Sequence, residues 1–172
     1  PAMIESFAQQ IAACVKQYNL DGVDFDDEYA DYWKAPSNLP SPSTTIFGNL
    51  VKRVCQLLPD KLITVFSFGG YTNFDATTMN AISYMWPDFG ADWSTPAGLG
   101  NSKWAKMSIH CTDGRPSAGV IQSSAANYSG YGAIMMFNLR ESGQTSLMNN
   151  FASRVWGGKT VSRTTTIYAK NY

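Results

Sequence analysis

Apolar residues in the first stretch of the chain return every three or four positions. Ile4, Phe7, Ile11, Cys14, Val15 and Tyr18 share one face at helical spacing, which predicts an amphipathic helix over residues 3–18. Asn19 offers a stop. The period then falls to two, and Leu20 to Asp26 reads as a strand. A loop rich in proline and aromatics runs from Tyr29 to Pro42. Ser43, Thr44 and Thr45 then offer an N-cap to a helix whose inner face is Phe47, Leu50, Val51, Val54, Leu57 and Leu58, and Pro59-Asp60 stops it. Leu62 to Phe68 is almost continuously apolar, as in a strand buried on both faces, and Gly69-Gly70 ends it.

The second half repeats the alternation less regularly. Ala81 to Trp86 reads as a strand, followed by a long loop carrying Pro87, Pro96, Gly98 and Gly100. Lys106 to Thr112 is another strand, Ser117 to Ala126 a short helix, and Gly132 to Leu139 the last apolar strand. A helix over 145–156 would pack Leu147, Phe151 and Val155. The threonine-rich tail, Lys159 to Tyr172, reads as an exposed extended segment. Strand and helix in alternation argue for an α/β fold, a parallel sheet covered by helices. No internal repeat and no linker divides the chain, so one domain over 1–158 is expected, with the tail over 159–172.

One strand carries chemistry. In Leu20-Asp-Gly-Val-Asp-Phe-Asp-Asp-Glu28, the acids Asp24, Asp26 and Glu28 occupy alternate positions, with Val23 and Phe25 between them. Alternate side chains of a strand share a face, so these carboxyls stand in one column, roughly 7 Å between neighbours. Val23 and Phe25 are left free to pack on the other face. Like charges this close raise one another's pKa. The column makes sense if one acid must stay protonated near neutral pH and donate that proton, as glycosidic bond cleavage requires. Two plainer readings compete. A calcium loop needs a glycine at its sixth position, a distal glutamate and polar residues between its ligands, whereas Val23 and Phe25 are apolar. A solvated acidic face does not explain why Tyr29, Tyr32 and Trp33 follow at once.

The string Asp21-Gly-Val-Asp-Phe-Asp-Asp-Glu28 resembles the D-G-x-D-x-D-x-E signature of glycoside hydrolase family 18, the family of chitinases and endo-β-N-acetylglucosaminidases. With Leu20 and the residues to Asp31 included, it looks most like the endo-H-type endo-β-N-acetylglucosaminidases; chitinases more often carry an aromatic residue where Asp27 stands. Tyr131-Gly-Ala-Ile-Met-Met-Phe-Asn-Leu139 is similar to the last barrel strand of that subgroup, and the order of segments fits up to about Gly158.

The resemblance implies a (β/α)8 TIM-barrel type of fold with the acidic strand as strand four. Five strands are legible, whereas such barrels need eight and typically about 250 residues. The expectation is therefore an incomplete barrel, about strands four to eight with their helices, belonging to a longer polypeptide. The first residue is proline and no signal peptide is visible, so the start of the gene product is expected upstream.

The same resemblance assigns roles. Glu28 would protonate the leaving sugar oxygen and then act as base on water, while the substrate's own 2-acetamido group serves as nucleophile. Asp26 would orient that acetamide, and Asp24, deeper in the barrel, would tune Asp26. Asp21, on the opposite face, reads as structural. The family usually places a tyrosine on strand six to hold the acetamide oxygen, and here the stretch is Ser83-Tyr84-Met85-Trp86-Pro87. Tyr84 and Trp86 share a face, so periodicity does not decide which points to the substrate; Tyr84 reads equally well as a core aromatic. Tyr32, Trp33, Phe89 and Trp93 are candidates to stack on sugar rings, and Asn138 to hydrogen-bond substrate. The implied substrate is an N-glycan or other GlcNAc-containing oligosaccharide, cut at the β-1,4 GlcNAc–GlcNAc bond. A chitinase acting on chitin oligomers, or a non-catalytic lectin on the same scaffold, are the alternatives. Such lectins usually lose the acid, and Glu28 is intact.

Composition bounds the rest. The 172 residues carry a formal net charge of +0, with 44% hydrophobic and 13% aromatic residues. That suits one domain with a substantial core and gives no reason to expect nucleic acid or a membrane as partner. No apolar run approaches a membrane span. A monomer, secreted or extracellular, is expected. No cofactor and no metal are called for: His110 is the lone histidine, best read as satisfying a backbone group, and the glycine pairs form no phosphate-binding fingerprint. Cys14, Cys55 and Cys111 do not make a disulfide framework, though a Cys14–Cys55 bridge between neighbouring helices is open to the chain in an oxidising compartment. Asn127-Tyr-Ser129 is an acceptor triplet for N-glycosylation, meaningful only in a secreted protein.

Overall fold

The computed structural model describes residues 2–28, 37–38, 43–68, 71–140, 144–166 and 169. Its elements run α1 (Ala2–Gln17), β1 (Gly22–Phe25), α2 (Thr44–Leu57), β2 (Leu62–Ser67), α3 (Ala76–Ala81), β3 (Tyr84–Pro87), β4 (Gly90–Ala91), a 3-10 turn (Asn101–Lys103), β5 (Ala105–His110), α4 (Ala118–Ala126), β6 (Ala133–Phe137) and α5 (Gln144–Val155). The fold is mixed α/β, as the alternation of periods predicts.

β1, β2 and β3 pair in parallel, Asp24 beside Thr64 and Thr64 beside Tyr84. β5 and β6 also pair in parallel, with an irregularity between Ala105 and Ser108. A parallel bridge, Met85 to Trp104, ties the two sheets, and the stub β4 runs antiparallel along β5. All five expected strands are present and run parallel where they meet. Among the described residues no strand pairs the outer edges of β1 and β6, and no closed barrel is seen.

The helices cover one face of this ribbon. Val23, Phe25, Ile63, Val65 and Met85 pack with Ala8, Ala12 and Val15 of α1 and Val51 and Val54 of α2. A second cluster joins Met107, Ile109 and Cys111 to Ile121 and Ala125 of α4 and Phe151 of α5. The Ser43 hydroxyl caps α2 as its position predicts, accepting from the Ile46 N–H at 3.1 Å.

Several expectations are corrected. The inner face of α1 is Ala8, Ile11, Ala12 and Val15, whereas Phe7 (54% exposed), Tyr18 (64%) and Cys14 face out. Two alanines let the helix approach its neighbours closely, and close approach outweighs the hydrophobicity of larger side chains elsewhere on the cylinder. Cys14 and Cys55 are free thiols, so the bridge is not formed. The strand expected from Ala81 begins at Tyr84; Ala81 closes the short helix α3, which Asp75 caps through the Thr78 N–H at 2.7 Å. Cys111 lies in the turn after β5 instead of in the strand. The tail described from Lys159 to Thr166 is mostly exposed and joins no sheet. It is clasped at Val161, whose N–H and carbonyl both bond to the side-chain amide of Asn149. The Gly69-Gly70 stop lies outside the described residues.

Candidate active site

The face of the sheet opposite the helices carries the acids. Phe25 is buried, edge-on to Phe47 at 5.9 Å, so its neighbours Asp24 and Asp26 are sent to the other side. Only Asp24 lies within β1 itself; Asp26 and Glu28 follow just past its end, as expected for residues at the C-terminal rim of a parallel strand. Asp24 keeps solvent access.

The register arranges the face in layers. Asp24 sits level with Thr64 and Tyr84. Continued one step, it sets Asp26 level with Phe66 and Trp86. Thr64 Oγ1 donates to Asp24 Oδ1 at 2.7 Å. Partial burial pushes the Asp24 carboxyl above its ordinary value and the charge of Asp26 adds to this, while the Thr64 hydrogen bond opposes both. Glu28 is also raised, first by desolvation, then by the charges of Asp26 and Asp88. Both shifts favour the protonated carboxyl. An acid whose proton is held more tightly than usual, at the open end of a column of carboxylates, is equipped to donate it to a substrate oxygen.

Asp88 was not among the residues singled out in the sequence. It follows β3 immediately, two positions beyond Trp86, and only strand pairing brings its charge to bear on Glu28. The signal available in sequence was its spacing, continuing the Tyr84, Trp86 alternation.

The other candidates are spread around the same rim. Tyr84 and Trp86 are both half-buried and share the acid-bearing face; Trp86 stands at the Asp26 level, and the Tyr84 ring lies one layer lower, against Gly132. Phe89 packs into an aromatic group with His110 at 4.8 Å and Phe137 at 5.7 Å, and the Arg115 guanidinium lies over its ring. Trp93 is 52% exposed beyond β4, its carbonyl accepting from the Trp104 indole N–H. Asn138, at φ 62°, donates from Nδ2 to Thr112 Oγ1, and its buried Oδ1 has no hydrogen-bond partner among the described residues. His110 Nδ1 accepts the Asp113 backbone N–H at 3.1 Å, which agrees with the backbone role expected of it and puts any neutral-ring proton on Nε2. Tyr32 and Trp33 lie outside the described residues. Among the described residues no three His, Cys, Asp or Glu side chains converge to hold a metal ion, and no helix is long and apolar enough to cross a membrane.

The chain is 28% identical over 162 residues to an endo-β-N-acetylglucosaminidase of Flavobacterium sp. (strain SK1022), covering 91% of this chain and 51% of that protein. It is 29% identical over 187 aligned residues to endo-β-N-acetylglucosaminidase F1 of Elizabethkingia meningoseptica, covering 99% of this chain and 54% of the relative. The chain thus spans about half the length of the curated relatives it matches. Among solved structures, Bacteroides thetaiotamicron EndoBT-3987 with a Man5GlcNAc product superposes with a TM-score of 0.71 at 26% identity, over 98% of this chain and 41% of that one. The same enzyme in complex with a Man9GlcNAc2Asn substrate gives a TM-score of 0.71 at 25% identity, over 98% and 44%. No family model matches.

Proposed function

We propose that this chain is the acid-bearing part of an endo-β-N-acetylglucosaminidase of the glycoside hydrolase family 18 type, cutting the β-1,4 GlcNAc–GlcNAc bond of the N-glycan core. The observation that carries the reading is the column Asp24, Asp26, Glu28 on the open face of β1, with its outermost carboxyl raised toward the protonated form. The similarity to endo-β-N-acetylglucosaminidases, including one solved with Man9GlcNAc2Asn, supports the substrate class.

In this mechanism Glu28 gives its proton to the bridging glycosidic oxygen as that bond breaks. The carbonyl oxygen of the 2-acetamido group closes on the anomeric carbon and forms an oxazolinium ion, so the nucleophile belongs to the substrate and one protein carboxyl is released from that duty. Asp26 holds the acetamide nitrogen as it becomes positive, and Asp24, anchored by Thr64, stabilises Asp26. Water, deprotonated by the Glu28 carboxylate, then opens the ring with retained configuration.

The β1, β2, β3, β5 and β6 ribbon corresponds, on this reading, to strands four to eight of a TIM barrel. Further strand–helix units of the same polypeptide would pair the free edges of β1 and β6 and enclose the acids from the other side. The working protein is read as a secreted monomer. The test is substrate choice by that protein: release of high-mannose glycan from a glycoprotein, with chitin oligomers left intact, is expected. Cleavage of chitin oligomers alone would make it a chitinase, and glycan binding with no turnover would make it a lectin.

A further inference from the structure

A buried cation outside the acid column has no part in this mechanism. Lys106, in β5, is 8% exposed, and its Nζ lies 2.7 Å from Asp92 Oδ1 and 4.3 Å from the centre of the Tyr131 ring. From Ala105 to Ser108 β5 takes three steps while β6 takes two, Ala133 to Met135, so β5 carries one residue more than its partner. The extra residue breaks the alternation, and Lys106 and Met107 are both buried. Asp92 is gripped in turn. Its N–H donates to the Lys106 carbonyl at 3.0 Å, and its Oδ1 accepts the Ser124 hydroxyl of α4 at 3.1 Å as well as the ammonium. It adopts φ 60°, a left-handed conformation that an L residue keeps only against a steric cost.

What this grip fixes is the rim. β4 directly precedes Asp92 and pairs with Ser108 and Met107. Only Asp88 and Phe89 separate Pro87, the last residue of β3, from Gly90, the first of β4. Asp88 is thus held between a strand end and a pinned stub, and its Oδ1 accepts the Phe89 N–H at 2.7 Å. Its charge, after desolvation and the charge of Asp26, acts on Glu28.

We propose that Lys106 is a positioning residue: through Asp92 it pins β4, and so holds Asp88 where its negative charge acts on the Glu28 proton donor. The proposal rests on the glycosidase reading above and adds control of the acid from the second sheet. An ion pair kept for stability alone would be dispensable, since apolar residues commonly replace such a buried charge without loss.

Carbon-detected NMR titration of the Glu28 carboxyl reads the effect, beside the basic limb of kcat/KM for glycan release from a high-mannose glycoprotein. Among the described residues, the charges that bear on this carboxyl are Asp26 of its own segment and Asp88 across the sheet. Lys106→Met is expected to lower both readings by about half a pH unit, the scale of one like charge met partly through water. Loss of the lysine's own charge would act the other way, so a downward shift reports movement of Asp88. Lys106→Arg should keep the wild-type titration. Asp88→Asn should give the same downward shift, and adding Lys106→Met to it should give no more. Asp92→Gly keeps φ 60° without strain and cuts the pair from its exposed side, so it should match Lys106→Met and likewise add nothing to Asp88→Asn. An unchanged Glu28 titration in Lys106→Met, or in Asp92→Gly where the first variant does not fold, would overturn the positioning role. A shift that adds to that of Asp88→Asn would overturn it too. The expected shifts in a protein whose wild type releases no glycan would keep the clamp and overturn the glycosidase reading instead.

Discussion

Thr64 Oγ1 and Asp24 Oδ1 meet at 2.7 Å across the β1–β2 pair, and this bond anchors the innermost member of the acid column. Replacing Thr64 with valine keeps the shape and removes the donor. Asp24 then loses the interaction that restrains its raised pKa, so it should titrate higher still in a carbon-detected NMR titration. A hydrogen bond of this kind contributes about 1 kcal/mol. A fall of that order in unfolding free energy at neutral pH is expected, and an unmoved Asp24 titration would contradict the anchoring role.

Because the folded-state pKa of Asp24 lies above its unfolded value, the folded state binds that proton more tightly. Its contribution to stability is therefore complete below the unfolded pKa, about 3.9, and is lost as pH rises through the folded value. Asp24→Asn removes the cost of ionising this site. Denaturant unfolding of the two proteins should converge at low pH and separate above the window, with the variant the more stable.

Glu5 behaves in the opposite sense. Its carboxyl takes Arg53 Nε at 2.6 Å and Nη2 at 2.8 Å, joining α1 to α2, and this pairing, with help from Gln9, holds its pKa below the ordinary value. The stabilisation is present above the unfolded pKa and disappears as pH falls through the folded one. Glu5→Gln should flatten that acid limb of the stability curve. An unchanged limb would mean that the pair contributes nothing to the docking of α1.

The Ser43 cap is testable by itself. Ser43→Ala leaves the Ile46 N–H without its acceptor and should lower stability by about 1 kcal/mol, read as a shift in the unfolding midpoint with the slope unchanged.

Thiol chemistry should separate the three cysteines. Cys14 is exposed, burial pushes the Cys55 thiol up to about 11, and Cys111 is buried and also raised by desolvation. The thiolate is the reactive form. Near neutral pH a maleimide should label Cys14 first, as read by peptide mass spectrometry; earlier labelling of Cys55 would contradict the packing of α2.

The features legible in the sequence are those set by local rules. Strict alternation marks β1 because Val23 and Phe25 face the core and the acids cannot, and Ser43 marks the start of α2 because an orphan N–H needs an acceptor. The inner face of α1 departs from its hydropathy pattern because that pattern rewards Phe7 and Tyr18, whereas the helix is seated by Ala8 and Ala12. The six-residue α3 is too short for a period to emerge. Asp88 owes its place to no such local rule. Its charge reaches Glu28 only because β1, β2 and β3 pair, and register is a property of two strands that neither strand's own pattern contains.

The most direct measurement compares glycan release by the wild-type protein and by Glu28→Gln on one high-mannose glycoprotein. Glutamine keeps the shape of the side chain and has no proton to give, so the rate is expected to fall by about 10²–10⁴-fold, with product-glycan binding retained. Release at the wild-type rate by the Glu28→Gln protein would contradict the assignment of Glu28 as the proton donor, and with it the reading of the acid column.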